Sequence, residues 1–237
     1  MKKSKVLILG GSSDIGITLI KELLKNDNME IYAHCSSNER NLKKINNTRI
    51  KIIKSNFIKI NDNNFKKTFN NLLNHKFSYF INLTGYISKS NFLNFKIYDQ
   101  INTFKTNVIL PNLILSKIVN NMIKNNFGRI VNCSSIGIKF GGGSNTYNYS
   151  LSKFASEFIP YNFKDWAKKN VLINNLRIGV TNTKLHRKIG KNIKKRVKLI
   201  PISRAAETNE IVKYILFFLS DDNTYSTGQT ISISGGE

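Results

Sequence analysis

The chain is short of the residues that staple small folds together. It has two cysteines, Cys35 and Cys133, in 237 residues. Two such thiols make neither a metal-ligand spacing nor a disulfide framework, so both are expected to be reduced and buried. Long apolar runs are also missing. No stretch approaches the roughly 20 apolar residues of a membrane span. The N-terminal MKKSKVLILGG imitates a signal peptide, but its apolar run is too short and glycines and Asp14 follow at once. It reads as a buried first strand, and the expectation is a cytoplasmic protein. Acidic residues are scarce as well, 14 against 37 basic ones, for a formal net charge of +23.

That imbalance suggests a polyanionic partner such as nucleic acid. The lysines are scattered, however, with a single denser patch over Lys188 to Lys198. Lys, Asn and Ile are abundant throughout at the expense of Arg, Ala, Gly and Pro, as an AT-rich genome would produce. No zinc-finger, helix-turn-helix or RNA-binding signature accompanies the charge, which argues against nucleic-acid binding as the main function. A milder consequence is that anionic substrates or an acidic carrier protein would be drawn to this surface.

What is present is a regular alternation of apolar runs and amphipathic stretches. The hydrophobic share is 41%, ordinary for a globular domain. Lys5–Leu9, Glu30–His34, Ile50–Lys54, Tyr79–Leu83, Gly128–Cys133, Val171–Arg177 and Gln229–Ile233 read as strands. Helical patterns lie between them, notably over residues 98–124 and 207–220. Strands alternating with helices predict an α/β fold, a Rossmann-like doubly wound parallel sheet of about seven strands with helices on both faces. With no internal repeat, linker or low-complexity segment, residues 1–237 read as a single domain.

The most informative stretch is residues 132–155, NCSSIGIKFGGGSNTYNYSLSKFA. Tyr149 and Lys153 are four residues apart and share one face of a helix. An ammonium beside a phenol is expected to lower the tyrosine pKa from about 10 and fit it for proton transfer. Ser134 and Ser135, at the carboxyl end of the fifth strand, offer hydroxyls that could orient a carbonyl. Tyr147 has no such partner, because Leu151 lies four residues on. Upstream, strand one runs into Gly10-Gly11-Ser12-Ser13-Asp14-Ile15-Gly16 and then a helix. Strand, glycine turn and helix make a cradle for a pyrophosphate.

The residues after strand two bear on which dinucleotide enters. An acid there would hydrogen-bond the ribose 2′-OH of NAD and repel the 2′-phosphate of NADP. His34, Cys35, Ser36, Ser37 and Asn38 stand there instead, with Arg40 just beyond. Ser36, Ser37 and Arg40 are therefore candidate phosphate ligands, and NADP(H) is favoured over NAD(H). Gly85 ends the NLTG segment after strand four, where ligands collect in such sheets. Asn107 lies among apolar residues before Pro111. Gly179 and Thr183 follow strand six, and Thr183 could reach a cofactor amide. Lys184–Leu199, very basic and loosely patterned, suits a mobile lid.

Taken together these motifs resemble the short-chain dehydrogenase/reductase family over essentially the whole chain. The family's TGxxxGxG is similar to Leu9–Gly16 here, with Leu9 for the threonine and Asp14 for the middle glycine. Its NNAG is similar to Asn82–Gly85, and its Pro-Gly motif to Ile178-Gly179. The resemblance implies catalytic Asn107, Ser135, Tyr149 and Lys153. It implies cofactor contacts from Gly10, Ser12, Ser13, Asp14, Ile15, Gly16, Asn56, Asn82, Gly85, Tyr149, Lys153, Gly179, Thr181 and Thr183. The closing segment looks most like 3-oxoacyl-acyl-carrier-protein reductases, which implies a role in fatty acid biosynthesis. Sugar, polyol and specialised-metabolite dehydrogenases share the template, and a basic nucleic-acid-binding pseudoenzyme is the non-enzymatic alternative. A homotetramer or homodimer built through residues 98–124 and 149–168 is expected, with no metal and no membrane contact.

Overall fold

The computed structural model describes residues 4–185 and 193–237. Part of the basic segment read as a lid, residues 186–192, thus lies outside the described residues. Seven strands form one sheet in the order β3-β2-β1-β4-β5-β6-β7, and every neighbouring pair is parallel. The strands are β1 (Ser4–Leu9), β2 (Met29–Cys35), β3 (Ile50–Lys54), β4 (Phe77–Asn82), β5 (Gly128–Ser135), β6 (Val171–Ile178) and β7 (Thr230–Ile233). Strands one to six were expected within two residues of these ends, because continuous apolar runs mark strands buried on both faces.

The sheet separates two apolar clusters. One face packs against α3 (Asp62–Leu73) and α5 (Leu110–Lys124), through Phe69, Leu72, Ile114, Ile118 and Met122. The other packs against α1 (Asp14–Leu23) and the last helix, Thr208–Leu219, through Leu19, Ile20, Ile211 and Ile215. Phe57, Phe69, Phe77 and Phe80 are fully buried, each contributing about 2–3 kcal/mol by its removal from water. The order of strands reverses between β1 and β4. At that switch the loops diverge to opposite faces and leave a crevice at the carboxyl ends.

The long helical segment expected over residues 98–124 is not one continuous α-helix. α4 (Ile97–Phe104) passes through a π-helical turn, Lys105–Ile109, into α5. Pro111 supplies the reason. It has no N–H to complete an α-helical bond to the Asn107 carbonyl, and the chain widens there.

A row of side-chain amides crosses the sheet beneath the crevice. Asn82, Asn132, Asn175 and Thr230 are register partners on β4, β5, β6 and β7. Asn82 Nδ2 donates to Asn132 Oδ1 at 2.8 Å, Asn132 Nδ2 to Asn175 Oδ1 at 3.1 Å, and Asn175 Nδ2 to Thr230 Oγ1 at 3.0 Å. The ladder also receives a helix. Asn132 and Asn175 donate to the carbonyls of Ser156 and Glu157, at the end of α6 (Tyr147–Ser156).

Candidate active site

The end of β5 delivers Ser135 toward α6, which carries Tyr149 and Lys153 one turn apart. Between them a short 3-10 turn, Ile136–Phe140, and Gly141 with φ of 65° reverse the chain. The Ser135 side chain faces the Tyr149 hydroxyl closely enough to act on its pKa, and its Oγ accepts the Gly137 N–H at 3.2 Å. Ser134 is different. It is buried and its Oγ donates to the Lys153 carbonyl at 3.3 Å. Of the adjacent serines, Ser135 faces the tyrosine and Ser134 braces the helix.

Lys153 is buried. Its ammonium donates to the carbonyl oxygens of Thr84 at 2.6 Å and Cys133 at 2.7 Å, and lies 5.9 Å from the centre of the Tyr149 ring. Two of its three protons are thus committed to the backbone at the ends of β4 and β5, leaving one for a ligand. Burial brings the Lys153 pKa down to about 8. Burial also pushes the Tyr149 hydroxyl up to about 12, with the Ser135 hydrogen bond opposing. This corrects the expectation that Lys153 lowers the tyrosine pKa. Desolvation of the phenolate is the largest influence on this hydroxyl.

Asn107 sits in the π turn, fully buried. Its side chain accepts the Tyr86 N–H at 2.8 Å and donates to the Tyr86 carbonyl and Ser152 Oγ, each at 2.9 Å. The side chain is fully engaged in tying the NLTG segment to α6. Its backbone carbonyl receives no α-helical hydrogen bond from Pro111, which has no N–H.

These groups open onto a cleft of about 1100 Å³, large enough for a dinucleotide and a small substrate. Ser12, Ser13, Asp14, Ile15, Gly85, Tyr149, Lys153, Gly179, Thr181 and Thr183 line it. Ser13 caps α1, its Oγ accepting the Gly16 N–H at 3.1 Å, so the helix N-terminus faces the cleft. These donors and this shape fit a nicotinamide dinucleotide. The Asp14 carboxylate accepts the backbone N–H of Lys184 at 2.6 Å.

Other expected contacts fall elsewhere. Gly10, with φ of 74°, and Gly16 are turn and packing residues. A Cβ on either would lie 2.7 Å or less from a backbone oxygen, of Leu83 and of Gly11 respectively. Ser36, Ser37 and Arg40 are exposed and outside the cleft wall, which Asn38 and Asn41 supply instead. Asn56 caps the turn Phe57–Lys59, and Asn82 belongs to the amide ladder. His34 is a neutral strut. Its Nδ1 accepts the Gly10 N–H at 3.3 Å, its Nε2 donates to the Ser55 carbonyl at 2.8 Å, and burial lowers its pKa to about 4. Asn38 and Asn41 carry no motif that would single them out in the sequence.

A parallel sheet with a glycine turn after β1 and a Ser-Tyr-Lys set at the switch point defines a nucleotide-dependent oxidoreductase scaffold. The chain belongs to the short-chain dehydrogenase/reductase family, and a family model described as enoyl-(acyl carrier protein) reductase matches residues 38–237. The 3-oxoacyl-[acyl-carrier-protein] reductase of Aquifex aeolicus is 31% identical over 158 residues, 66% of this chain and 63% of that protein. The match thus spans just under two thirds of that relative. The enzyme of the same name from Chlamydia pneumoniae is 26% identical over 240 residues, covering 98% of this chain and 96% of its own. Among solved structures, a 3-oxoacyl (acyl-carrier-protein) reductase from Agrobacterium tumefaciens with NADP bound superposes with a TM-score of 0.82 at 19% identity, over 100% of this chain and 95% of that one. A 4-hydroxyisoleucine dehydrogenase complexed with NADH gives 0.86 at 20%, over 99% and 98%. At such identities the structural likeness speaks for the fold alone.

Proposed function

We propose that this chain is an NADPH-dependent reductase of 3-oxoacyl thioesters, acting on acyl groups held by an acidic carrier protein. The observation that carries the reading is the Ser135–Tyr149–Lys153 set at the end of β5, opposite the capped N-terminus of α1. When bound, the nicotinamide supplies a hydride. Tyr149, neutral across the physiological range with its pKa near 12, gives its proton to the carbonyl oxygen as negative charge develops there. The Ser135 hydroxyl donates a hydrogen bond to the same oxygen. Lys153, with one proton left uncommitted, would hold a ribose hydroxyl of the bound nucleotide, and its charge would favour the phenolate left behind. The Asn107 carbonyl holds a water that returns a proton through Lys153.

The printed names of the sequence relatives support the thioester class. The net charge of +23 supports an acidic carrier, through faster electrostatically steered encounter. NADPH is preferred because no acid stands at the end of β2. Exposed apolar side chains on α4 (Ile97, Tyr98, Ile101) and on and just after α6 (Phe154, Phe158, Tyr161) support pairing of copies through these helices. A monomeric mass in solution would remove that pairing. Among the described residues, no helix is long and apolar enough to cross a membrane.

The test is NADPH oxidation with a short 3-oxoacyl thioester, beside NADH and beside Tyr149→Phe. Turnover should favour NADPH and fall by roughly 10²–10⁴ in the variant, with cofactor binding retained. Undiminished turnover in Tyr149→Phe would sink the proposed proton donor.

A further inference from the structure

Three serines stand on α6 around Tyr149 and Lys153, and two of their hydroxyls are spent inside the protein. Ser152 Oγ donates to the Tyr149 carbonyl at 2.7 Å and accepts from Asn107 Nδ2 at 2.9 Å. Ser156 Oγ donates to the Lys153 carbonyl at 2.8 Å. Ser150, one residue after the proposed proton donor, differs. It is 5% exposed and lines the cleft, and among the described residues its hydroxyl forms no hydrogen bond. Unlike Asn148 Oδ1 and Ser90 Oγ, which are sealed and unpartnered, it keeps a window onto the cleft.

Two glycines make that window. A Cβ on Gly142, which has φ of 91°, would lie 2.8 Å from Ser150 Oγ, and one on Gly137 would lie 3.5 Å from it. The same Cβ on Gly137 would lie 3.3 Å from Ser135 Oγ. Both glycines line the cleft. Their missing side chains leave a notch, and the hydroxyls of Ser135 and Ser150 flank one and the same glycine within it. A hydroxyl covered by a ligand that offers it no partner is costly. The notch therefore favours a ligand with an acceptor at this point.

We propose that Ser150 is a specificity-determining residue that donates a hydrogen bond to the thioester carbonyl oxygen of a 3-oxoacyl substrate. The assignment rests on the reductase reading above, in which the reacting carbonyl lies against Tyr149 and Ser135. In a 3-oxoacyl thioester the second carbonyl is one methylene away. Its oxygen then falls to the neighbouring hydroxyl across Gly137. An isolated ketone has no oxygen to place there and covers Ser150 with methylenes. The notch thus selects 1,3-dicarbonyl substrates over simple ketones.

The test compares NADPH oxidation by the full chain with two ketones. One is 3-oxobutanoyl-N-acetylcysteamine. The other is S-(3-oxobutyl)-N-acetylcysteamine, in which a methylene replaces the thioester carbonyl. The ratio of their kcat/KM values, thioester over simple ketone, should fall about tenfold in Ser150→Ala, as expected for the loss of one hydrogen bond. The ketones differ in intrinsic reactivity, but that difference is common to both proteins and cancels. A general loss of activity or stability likewise leaves the ratio untouched. Reduction of both ketones with an unchanged ratio in Ser150→Ala would overturn the assignment and leave the reductase standing. Reduction of neither by the wild type would remove the reductase reading and the assignment together.

Discussion

The carboxylate of Asp14 accepts the backbone N–H of Lys184 at 2.6 Å, across 170 residues of chain. Asp14 opens α1, where a negative charge complements the helix N-terminus. Lys184 begins the basic stretch after β6. The bond therefore closes the glycine turn onto the far side of the cleft, and it shows how an acid is tolerated beside a phosphate cradle. Its charge is engaged by a donor from another segment.

Replacing Asp14 by asparagine should leave NADPH affinity within about threefold, since a phosphate would meet no new obstacle. Asp14→Ala removes the acceptor altogether, and trypsin should then cut after Lys184 several times faster, because local opening governs such cleavage. Dissociation constants and limited proteolysis check both. A tenfold gain in NADPH affinity for Asp14→Asn would show that the carboxylate opposes the phosphates after all.

The reduction should depend on pH through Lys153. Its pKa is depressed by burial to about 8, so the ammonium is present below pH 8 and lost above it. Tyr149 holds its proton until about pH 12 and contributes no change in the working range. The plot of kcat/KM for reduction should be flat from pH 6 to about 7.5 and fall as pH rises through 8. A flat profile to pH 10 would mean that the lysine charge is not needed. The reverse oxidation, which needs a phenolate to accept the proton, should improve toward high pH.

The amide ladder should carry stability rather than chemistry. Asn132 joins Asn82, Asn175 and the Ser156 carbonyl in one buried set. Asn132→Leu strands three polar groups at about 1–3 kcal/mol each, moderated by relaxation, for a net loss of about 3 kcal/mol. Urea unfolding measures it. A loss below about 1 kcal/mol would show that water or a local shift satisfies the stranded groups.

The order of elements and the Ser-Tyr-Lys set were legible in the chain because each rests on local pattern. Buried parallel strands need continuous apolar runs, and an i, i+4 pair shares a helix face without any tertiary information. The glycine turn was legible for the same reason, as strand, turn and helix are contiguous. What the residues do once assembled was less legible. Gly10, Gly16 and Asn82 belong to the motifs, and Asn56 to the implied contacts, yet in the fold they serve a turn, a close packing, a ladder and a cap.

Tertiary packing decided the remainder, because burial and partnership are properties of the assembled chain. Desolvation set the Tyr149 pKa against the expectation drawn from its lysine neighbour. Strand register aligned Asn82, Asn132 and Asn175, which are successively 50 and 43 residues apart and share no motif. The turn after β5 set Gly137 and Gly142 beside the Ser150 hydroxyl, a juxtaposition that spacing alone does not imply. By itself the sequence determined the α/β architecture and the spacing that brings Ser135, Tyr149 and Lys153 together. Only the folded chain determined which polar atoms remain free to meet a ligand, since each atom is free or spent according to neighbours drawn from distant segments.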